Sequence, residues 1–76
     1  MKDFVVFIVK HLVDKPDEVQ INEISGERTV VLELRVGKGD IGKVLGRHGN
    51  NVKSLRTLLA AAAAKTGKRT VLEILE

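Results

Sequence analysis

Apolar and polar residues alternate along one segment of the chain, from Thr29 to Val36. Every second residue of this segment is apolar and falls on one face, namely Val30, Leu32, Leu34 and Val36. A period of two predicts a β-strand with one buried face. Turns that contain glycine bound the segment on both sides. We therefore expect a strand that is central or well covered.

Two weaker patterns predict further strands. Val19, Ile21 and the less regular Ile24 suggest a strand before the central one, and residues 70–75 suggest a last strand. Residues 14–17 contain two aspartates and the proline, a composition typical of a turn. The expected sheet therefore has three strands.

The first residues of the chain have an ambiguous pattern. Asp3 can cap a helix that runs to about Val13. The apolar residues on one stripe of such a helix are Phe4, Ile8, Val9 and Leu12. The run from Val5 to Val9 is also rich in residues that favour strands, so the pattern alone leaves helix and strand open.

A long helix is predicted after residue 50. Residues 50–65 are rich in strong helix formers and include an alanine run from Ala60 to Ala64. Asn50 or Asn51 can cap the N-terminus of this helix. Gly67 is a suitable residue to end it.

The segment before the long helix reads IGKVLGRHG, and it contains Gly42, Gly46 and Gly49. Asp40 can cap a short helix from Ile41 to Leu45, and the residues GRHG then form a loop. Glycine in a helix-like stretch is less stable than alanine by about 1 kcal/mol, so a specific requirement is expected. A residue without a side chain lets an anion approach the N–H groups at a helix N-terminus.

The spacing I-G-x-x-G-x-x-G before an apolar-patterned helix resembles the core motif of the KH nucleic-acid-binding domain. The matching residues are Ile41, Gly42, Val44, Leu45, Gly46, Gly49, Val52, Leu55 and Leu58 or Leu59. The order of elements is similar to the type II arrangement, α-β-β-α-α-β. This resemblance implies an α+β fold with a three-stranded sheet covered on one face by helices, and it favours a helix for the first segment.

The length of 76 residues bounds the organisation of the protein. It leaves room for one domain, residues 1–76, whose small core makes a dimer unsurprising. The chain has no cysteine, which suits a reducing compartment. The apolar run of residues 4–9 is too short for a signal peptide or a membrane span. We therefore expect a soluble, cytoplasmic protein.

The charge distribution favours a polyanionic partner. Residues 38–69 contain eight cations and one acid, a net charge of +7, although the whole chain carries only +3. The remainder, with five cations and nine acids, carries −4. The glycine-rich segment therefore lies in the basic half of the chain, where a nucleic acid would be attracted.

Two phosphate-binding motifs match only in part. Gly37 to Lys43 fit the start of a P-loop, but Val44 stands where a serine or threonine would hold magnesium. A dinucleotide-binding fingerprint, GxGxxG, also occurs, but no acid follows about twenty residues later. Serine occurs only at positions 25 and 54, and His48 has no nearby acid to orient it. We therefore expect a binding protein rather than an enzyme, with no cofactor and no metal site.

The motif and the charges together predict an RNA-binding site. Its residues are Ile41, Gly42, Lys43, Val44, Leu45, Gly46, Arg47, His48, Gly49, Asn50, Lys53 and Arg56. Backbone N–H groups of the loop and Arg47 would hold phosphates, and Lys38 would extend the basic edge. Bases would enter an apolar groove between Ile41, Val44 and Leu45 on one side and residues 34–36 on the other. No tyrosine or tryptophan is available for stacking, which favours the KH mode of recognition.

The resemblance implies a single-stranded RNA-binding protein that acts as an RNA chaperone or post-transcriptional regulator. It also implies a partner, a larger Jag-like KH protein. Leu58, Leu59 and five alanines make the end of the long helix apolar all round, which predicts a homodimer or a hetero-complex through Leu55 to Ala64. The alternative function is a protein-interaction scaffold that uses the fold mainly for association.

Overall fold

A computed structural model describes residues 1–75 and contains three α-helices and three strands. These elements are α1 (Lys2–Leu12), β1 (Gln20–Ser25), β2 (Thr29–Arg35), α2 (Ile41–Leu45), α3 (Asn50–Ala63) and β3 (Arg69–Ile74). Short 3-10 turns occupy Pro16–Glu18 and Arg47–Gly49. The predicted order α-β-β-α-α-β is confirmed.

The strands form one mixed sheet in the order β1-β2-β3. β1 pairs antiparallel with β2, with Ile21 opposite Leu34. β2 pairs parallel with β3, with Leu32 opposite Leu72, because two helices separate them in the chain and form a crossover. The alternating segment is therefore the central strand, as predicted.

The helices cover one face of the sheet and form the core with it. Leu32 and Leu34, on the helix-facing side of β2, are fully buried. Each helix adds buried residues to the same cluster, and these are Val5, Val9, Val44, Val52, Leu55 and Leu59. Alternate residues of β2 thus organise an α+β fold of the expected class.

α1 confirms the helix that the resemblance favoured, but its buried stripe differs from the expected one. Val5 and Val9 are fully buried, whereas Phe4 is 40% exposed. Ile8 and Leu12 are half-buried, so three of the four predicted residues do face the core and the difference is that Val5 is buried in place of Phe4. Met1 occupies the N-cap position, and Asp3 lies inside the first turn. The smaller valines thus pack against the sheet, and the phenylalanine side chains remain outside.

α3 also differs at both ends. Gly49 is its N-cap, so neither asparagine caps it as predicted, and Asn51 instead donates a side-chain hydrogen bond to the Lys43 carbonyl at 2.9 Å. The helix ends at Ala63, and Gly67 lies in the following turn with φ of 73°. Within residues 1–75, none of the helices has the length and apolar character needed to cross a membrane.

Candidate nucleic-acid interface

Gly46 opens the GRHG loop in a backbone conformation that requires glycine. Its φ is 73° and its ψ is 175°, a region that residues with a Cβ rarely occupy. A Cβ at this position would lie 2.6 Å from Cγ of Asn51, which is far inside van der Waals contact. Gly46 therefore lets α2 stop and lets the first turn of α3 pack closely against it.

His48 and Gly49 turn the chain into α3. His48 has φ of 56° and ψ of 25°, and Gly49 has φ of 74° and ψ of 16°. Both are left-handed, and a histidine in this region is uncommon. Two left-handed residues in succession turn the chain sharply between α2 and α3, and Arg47 and His48 are exposed in this turn.

The loop leaves two backbone donors available. The N–H of Gly49 donates to the Gly46 carbonyl at 3.1 Å, and the N–H of Asn50 donates to the Arg47 carbonyl. By contrast, the N–H groups of Arg47 and His48 find no acceptor among residues 1–75. Two successive N–H groups without an acceptor within residues 1–75, on two exposed residues, can bind an anion in place of water.

Gly42 differs from the loop glycines. It lies inside α2 without a positive φ, and no atom lies within 4 Å of the position that a Cβ would take. The fold therefore has no need for glycine here. The exposed backbone of α2 at Gly42 is open to close approach by a ligand.

Asp40 anchors the start of α2 to the segment between α1 and β1. Its side chain is only 2% exposed, and its carboxylate accepts hydrogen bonds from the backbone N–H groups of Asp14 at 3.2 Å and Lys15 at 3.0 Å. It occupies the N-cap position of α2 as predicted, but its side chain makes no capping bond to that helix. The carboxylate instead satisfies donors 25 and 26 residues away in sequence.

The ammonium of Lys43 forms an ion pair with the carboxylate of Asp14, and this is the one ion pair found among residues 1–75. The hydrogen bond to Asp14 is the main reason that the pKa of Lys43 is raised above its ordinary value. The Lys43 carbonyl accepts the hydrogen bond from Asn51, which joins α2 to α3. Lys43 is therefore held on both its side-chain and its backbone side.

The twelve predicted site residues lie in one stretch of the chain, residues 41–56, and we call the exposed and half-buried ones the glycine-rich edge. Its exposed members are Gly42, Lys43, Leu45, Arg47, His48, Asn50, Lys53 and Arg56, and its half-buried members are Ile41, Gly46 and Gly49. Val44 is fully buried, and so is Leu34 of β2. The predicted groove floor is wrong for these two residues, because their side chains belong to the core.

A different depression lies beside the glycine-rich edge. It has a volume of about 340 Å³ and is lined by Arg56 and residues 69–73 of β3. Nη2 of Arg56 donates to the Leu72 carbonyl at 3.1 Å across this depression. Arg56 lies about 9 Å along α3 from Asn50. Sequence analysis missed this wall, although the crossover from β2 to β3 predicts a parallel strand beside α3.

Toward that depression, β3 presents backbone groups that are not paired with another strand within residues 1–75, and of these the Leu72 carbonyl accepts the hydrogen bond from Arg56. The N–H groups of Arg69 and Leu75 donate to β2 and its preceding turn, at 2.8 Å each. Because successive residues of a strand point to opposite edges, Thr70, Leu72 and Ile74 direct their N–H and C=O groups away from β2. The depression therefore offers both donors and acceptors beside apolar surface.

A second surface is formed by α1 and α3. Leu55, Leu59 and Ala63 are buried in the core, so this stripe of the predicted association surface is not available, whereas the other residues of 55–64 are exposed. Leu58 is 48% exposed and faces α1, where Phe4 and Phe7 are also exposed. A small apolar groove between the two helices is lined by Ile8, Leu12, Asn51, Ser54, Leu55 and Leu58. We call these exposed residues and the groove the α1/α3 surface.

Within residues 1–75, no cluster of three or more histidine, aspartate or glutamate side chains could hold a metal ion. A three-stranded mixed sheet with three helices on one face, in the order α-β-β-α-α-β, defines a type II KH domain. The chain matches the family model described as KhpA/KhpB, KH domain, over residues 2–74. The protein therefore belongs to the KhpA/KhpB family of KH domains.

Several relatives are similar along almost their whole length. The RNA-binding protein KhpA of Borreliella burgdorferi is 54% identical over 74 residues, which cover 97% of this chain and 90% of the relative. The proteins of the same name from Aquifex aeolicus and Chlamydia trachomatis are 53% and 49% identical over 76 residues, covering 96% and 97% of those relatives and 100% of this chain. No solved structure matches the chain.

Proposed function

We propose that this protein binds single-stranded RNA along the glycine-rich edge and acts as an RNA chaperone or post-transcriptional regulator. The observation that carries the proposal is the GRHG loop, where two successive N–H groups lack acceptors within residues 1–75 and lie beside exposed cationic side chains. The names of the relatives, which describe RNA-binding proteins, support RNA as the ligand.

The proposed mechanism separates positioning from reading. The N–H groups of Arg47 and His48 hold phosphate oxygens, and the Arg47 guanidinium adds a charged fork. Lys53 and Arg56 continue the positive edge along α3. Bases turn toward the depression beside β3, where the N–H groups of Thr70 and Leu72, which point away from β2, can meet base edges. Only unstacked bases expose these edges, so single strands are preferred over duplexes.

The site is small, so one copy of the domain binds weakly and gains from being joined to a second. The exposed apolar residues on α1 and α3 support association through the α1/α3 surface, with a second copy or with a larger Jag-like KH protein. Leu58 is 48% exposed and lines the apolar groove between the two helices with Ile8 and Leu12, and Phe7 of α1 is 65% exposed. The proposed location is the cytoplasm, because a chain without cysteines suits a reducing compartment.

Charge reversal in the loop tests the RNA site. The double variant Arg47→Asp, His48→Asp places two carboxylates beside the proposed phosphate position, and we expect it to lose binding of a labelled single-stranded RNA in fluorescence anisotropy. The matched control is Lys10→Asp, His11→Asp on the exposed last turn of α1, which makes the same charge change with a lysine in place of the arginine. Circular dichroism establishes that both variants fold.

The control variant should retain most of the wild-type affinity. Equal losses in both variants would mean that only net charge matters, and unchanged binding by the loop variant would move the site elsewhere. Failure of the wild type to bind any single-stranded RNA would favour the scaffold function instead. Affinity should also fall with salt at a log-log slope of about −2 to −3 if three or four cations contact phosphates.

Sedimentation velocity tests the association surface. We expect wild-type protein to dimerise and Leu58→Lys to be monomeric, because the lysine would place a charge in the apolar contact. Thr57→Lys is the matched control, since residue 57 lies about 100° round the helix and is exposed. Two results would contradict this part of the proposal. One is a wild type that stays monomeric at high concentration and binds no KH partner. The other is dimerisation of both variants.

A further inference from the structure

We infer that Asp14 competes with RNA phosphates for the ammonium of Lys43 and thereby lowers the affinity of the glycine-rich edge for RNA. This inference rests on the proposed function and concerns the segment between α1 and β1, which lies outside the KH motif. The position of Asp14 in the sequence does not by itself indicate a role in the strength of RNA binding.

The pair is held in place from both sides by one buried residue. The Asp40 carboxylate accepts the Asp14 N–H at 3.2 Å, and the Asp40 carbonyl accepts the Lys43 N–H at 3.0 Å. Asp40 itself is only 2% exposed. The two side chains still lose rotamer freedom when they pair, as in any surface ion pair, but the fixed backbones keep the carboxylate within reach of the ammonium.

The segment that carries Asp14 is held further by Lys15. The N–H of Lys15 donates to the Asp40 carboxylate at 3.0 Å, and Nζ of Lys15 donates to the Lys38 carbonyl at 3.1 Å. Three hydrogen bonds thus connect residues 14 and 15 to residues 38 and 40. These bonds hold the segment that carries the Asp14 carboxylate beside the glycine-rich edge.

The pair is also exposed enough for RNA to exchange with it. The Lys43 side chain is 44% exposed, and the Asp14 side chain is 72% exposed. Lys43 follows Gly42, where the backbone of α2 is open to a ligand. A phosphate that is to bind the Lys43 ammonium therefore meets a group that already has an anionic partner. In the complex, Lys43 must share its charge between the Asp14 carboxylate and an RNA phosphate. In the free protein, Asp14 already partly neutralises Lys43.

The test is the exchange of this carboxylate for an amide. Asp14→Asn should tighten RNA binding by about threefold, the range expected for releasing one exposed ion pair. Asp17→Asn is the matched control, because Asp17 is exposed, lies in the same segment and makes no ion pair within residues 1–75. It removes the same charge, so it measures the general electrostatic effect. Fluorescence anisotropy at constant salt gives all affinities.

The dependence on Lys43 completes the test. In a Lys43→Gln background, which itself binds RNA more weakly, Asp14→Asn should have the same small effect as Asp17→Asn. A gain from Asp14→Asn that equals the control in the wild-type background, or that persists without Lys43, would overturn the inference while leaving the RNA site intact. Absence of RNA binding by the wild type would instead overturn the proposed function and the inference together.

Discussion

The two parts of the glycine-rich edge, α2 and the GRHG loop, use glycine for different reasons. In the loop, Gly46 has a backbone conformation and a contact with Asn51 that exclude any larger residue. In α2, Gly42 has an ordinary helical backbone and open space where a side chain would be. The first glycine is required by the fold, whereas the second is available to serve a ligand. Substitutions at the two positions should therefore separate stability from binding.

The largest effect is expected from Gly46→Ala. A Cβ would be strained at φ of 73° and would lie 2.6 Å from Cγ of Asn51. We expect the free energy of unfolding to fall by about 2–4 kcal/mol, measured by urea titration followed by circular dichroism. Gly67→Ala is the control, because Gly67 has the same φ with no atom within 4 Å of a Cβ. It should lose only about 1 kcal/mol, and equal losses would contradict the role of the Asn51 contact.

Gly42→Ala should have effects of opposite sign on stability and on binding. Alanine is the better helix former, so the free energy of unfolding should rise by about 0.5–1 kcal/mol. RNA affinity should fall by about threefold to tenfold, the size of one lost hydrogen bond, if the added methyl group keeps a phosphate from the backbone. Anisotropy and urea titration measure the two quantities. A stabilised variant with unchanged affinity would show that RNA does not approach α2 closely.

The smallest effect is expected from His48→Gly. His48 has a positive φ of 56°, which is unfavourable by about 1–2 kcal/mol for a residue with a Cβ. Glycine relieves this strain but adds freedom to the unfolded chain, so the net gain in stability should be about 0.5 kcal/mol. The melting temperature should then rise by about 2–4 °C in a thermal scan. A lower melting temperature would mean that the imidazole stabilises the loop.

Much of the fold follows from the sequence because its strongest pattern lies on the central strand. The alternation around Leu32 and Leu34 predicts a buried face, and that face organises the core. The phase of α1 could not be predicted, since Phe4 and Val5 are both apolar and only packing against the sheet decides which is buried. The ends of α3 depend on backbone angles at Gly49 and Gly67, which a capping preference for asparagine does not capture.

The candidate site was predictable in its residues and less so in its geometry. The glycines and cations are close in sequence, so the glycine-rich edge follows from local structure. The burial of Val44 and the position of β3 beside α3 depend on tertiary packing. The role of Asp40 depends on donors 25 and 26 residues away, which no local pattern indicates. Contacts between segments that are distant in sequence could therefore not be predicted from local patterns.

The most direct test of the RNA site is an NMR titration of ¹⁵N-labelled protein with a short single-stranded RNA. We predict that the largest amide shifts occur in residues 41–56, above all at Arg47 and His48, with further shifts in β3 beside Arg56. Amides of α1 and β1 should change little. Shifts concentrated on α1 or β1, with the GRHG loop unaffected, would contradict the account.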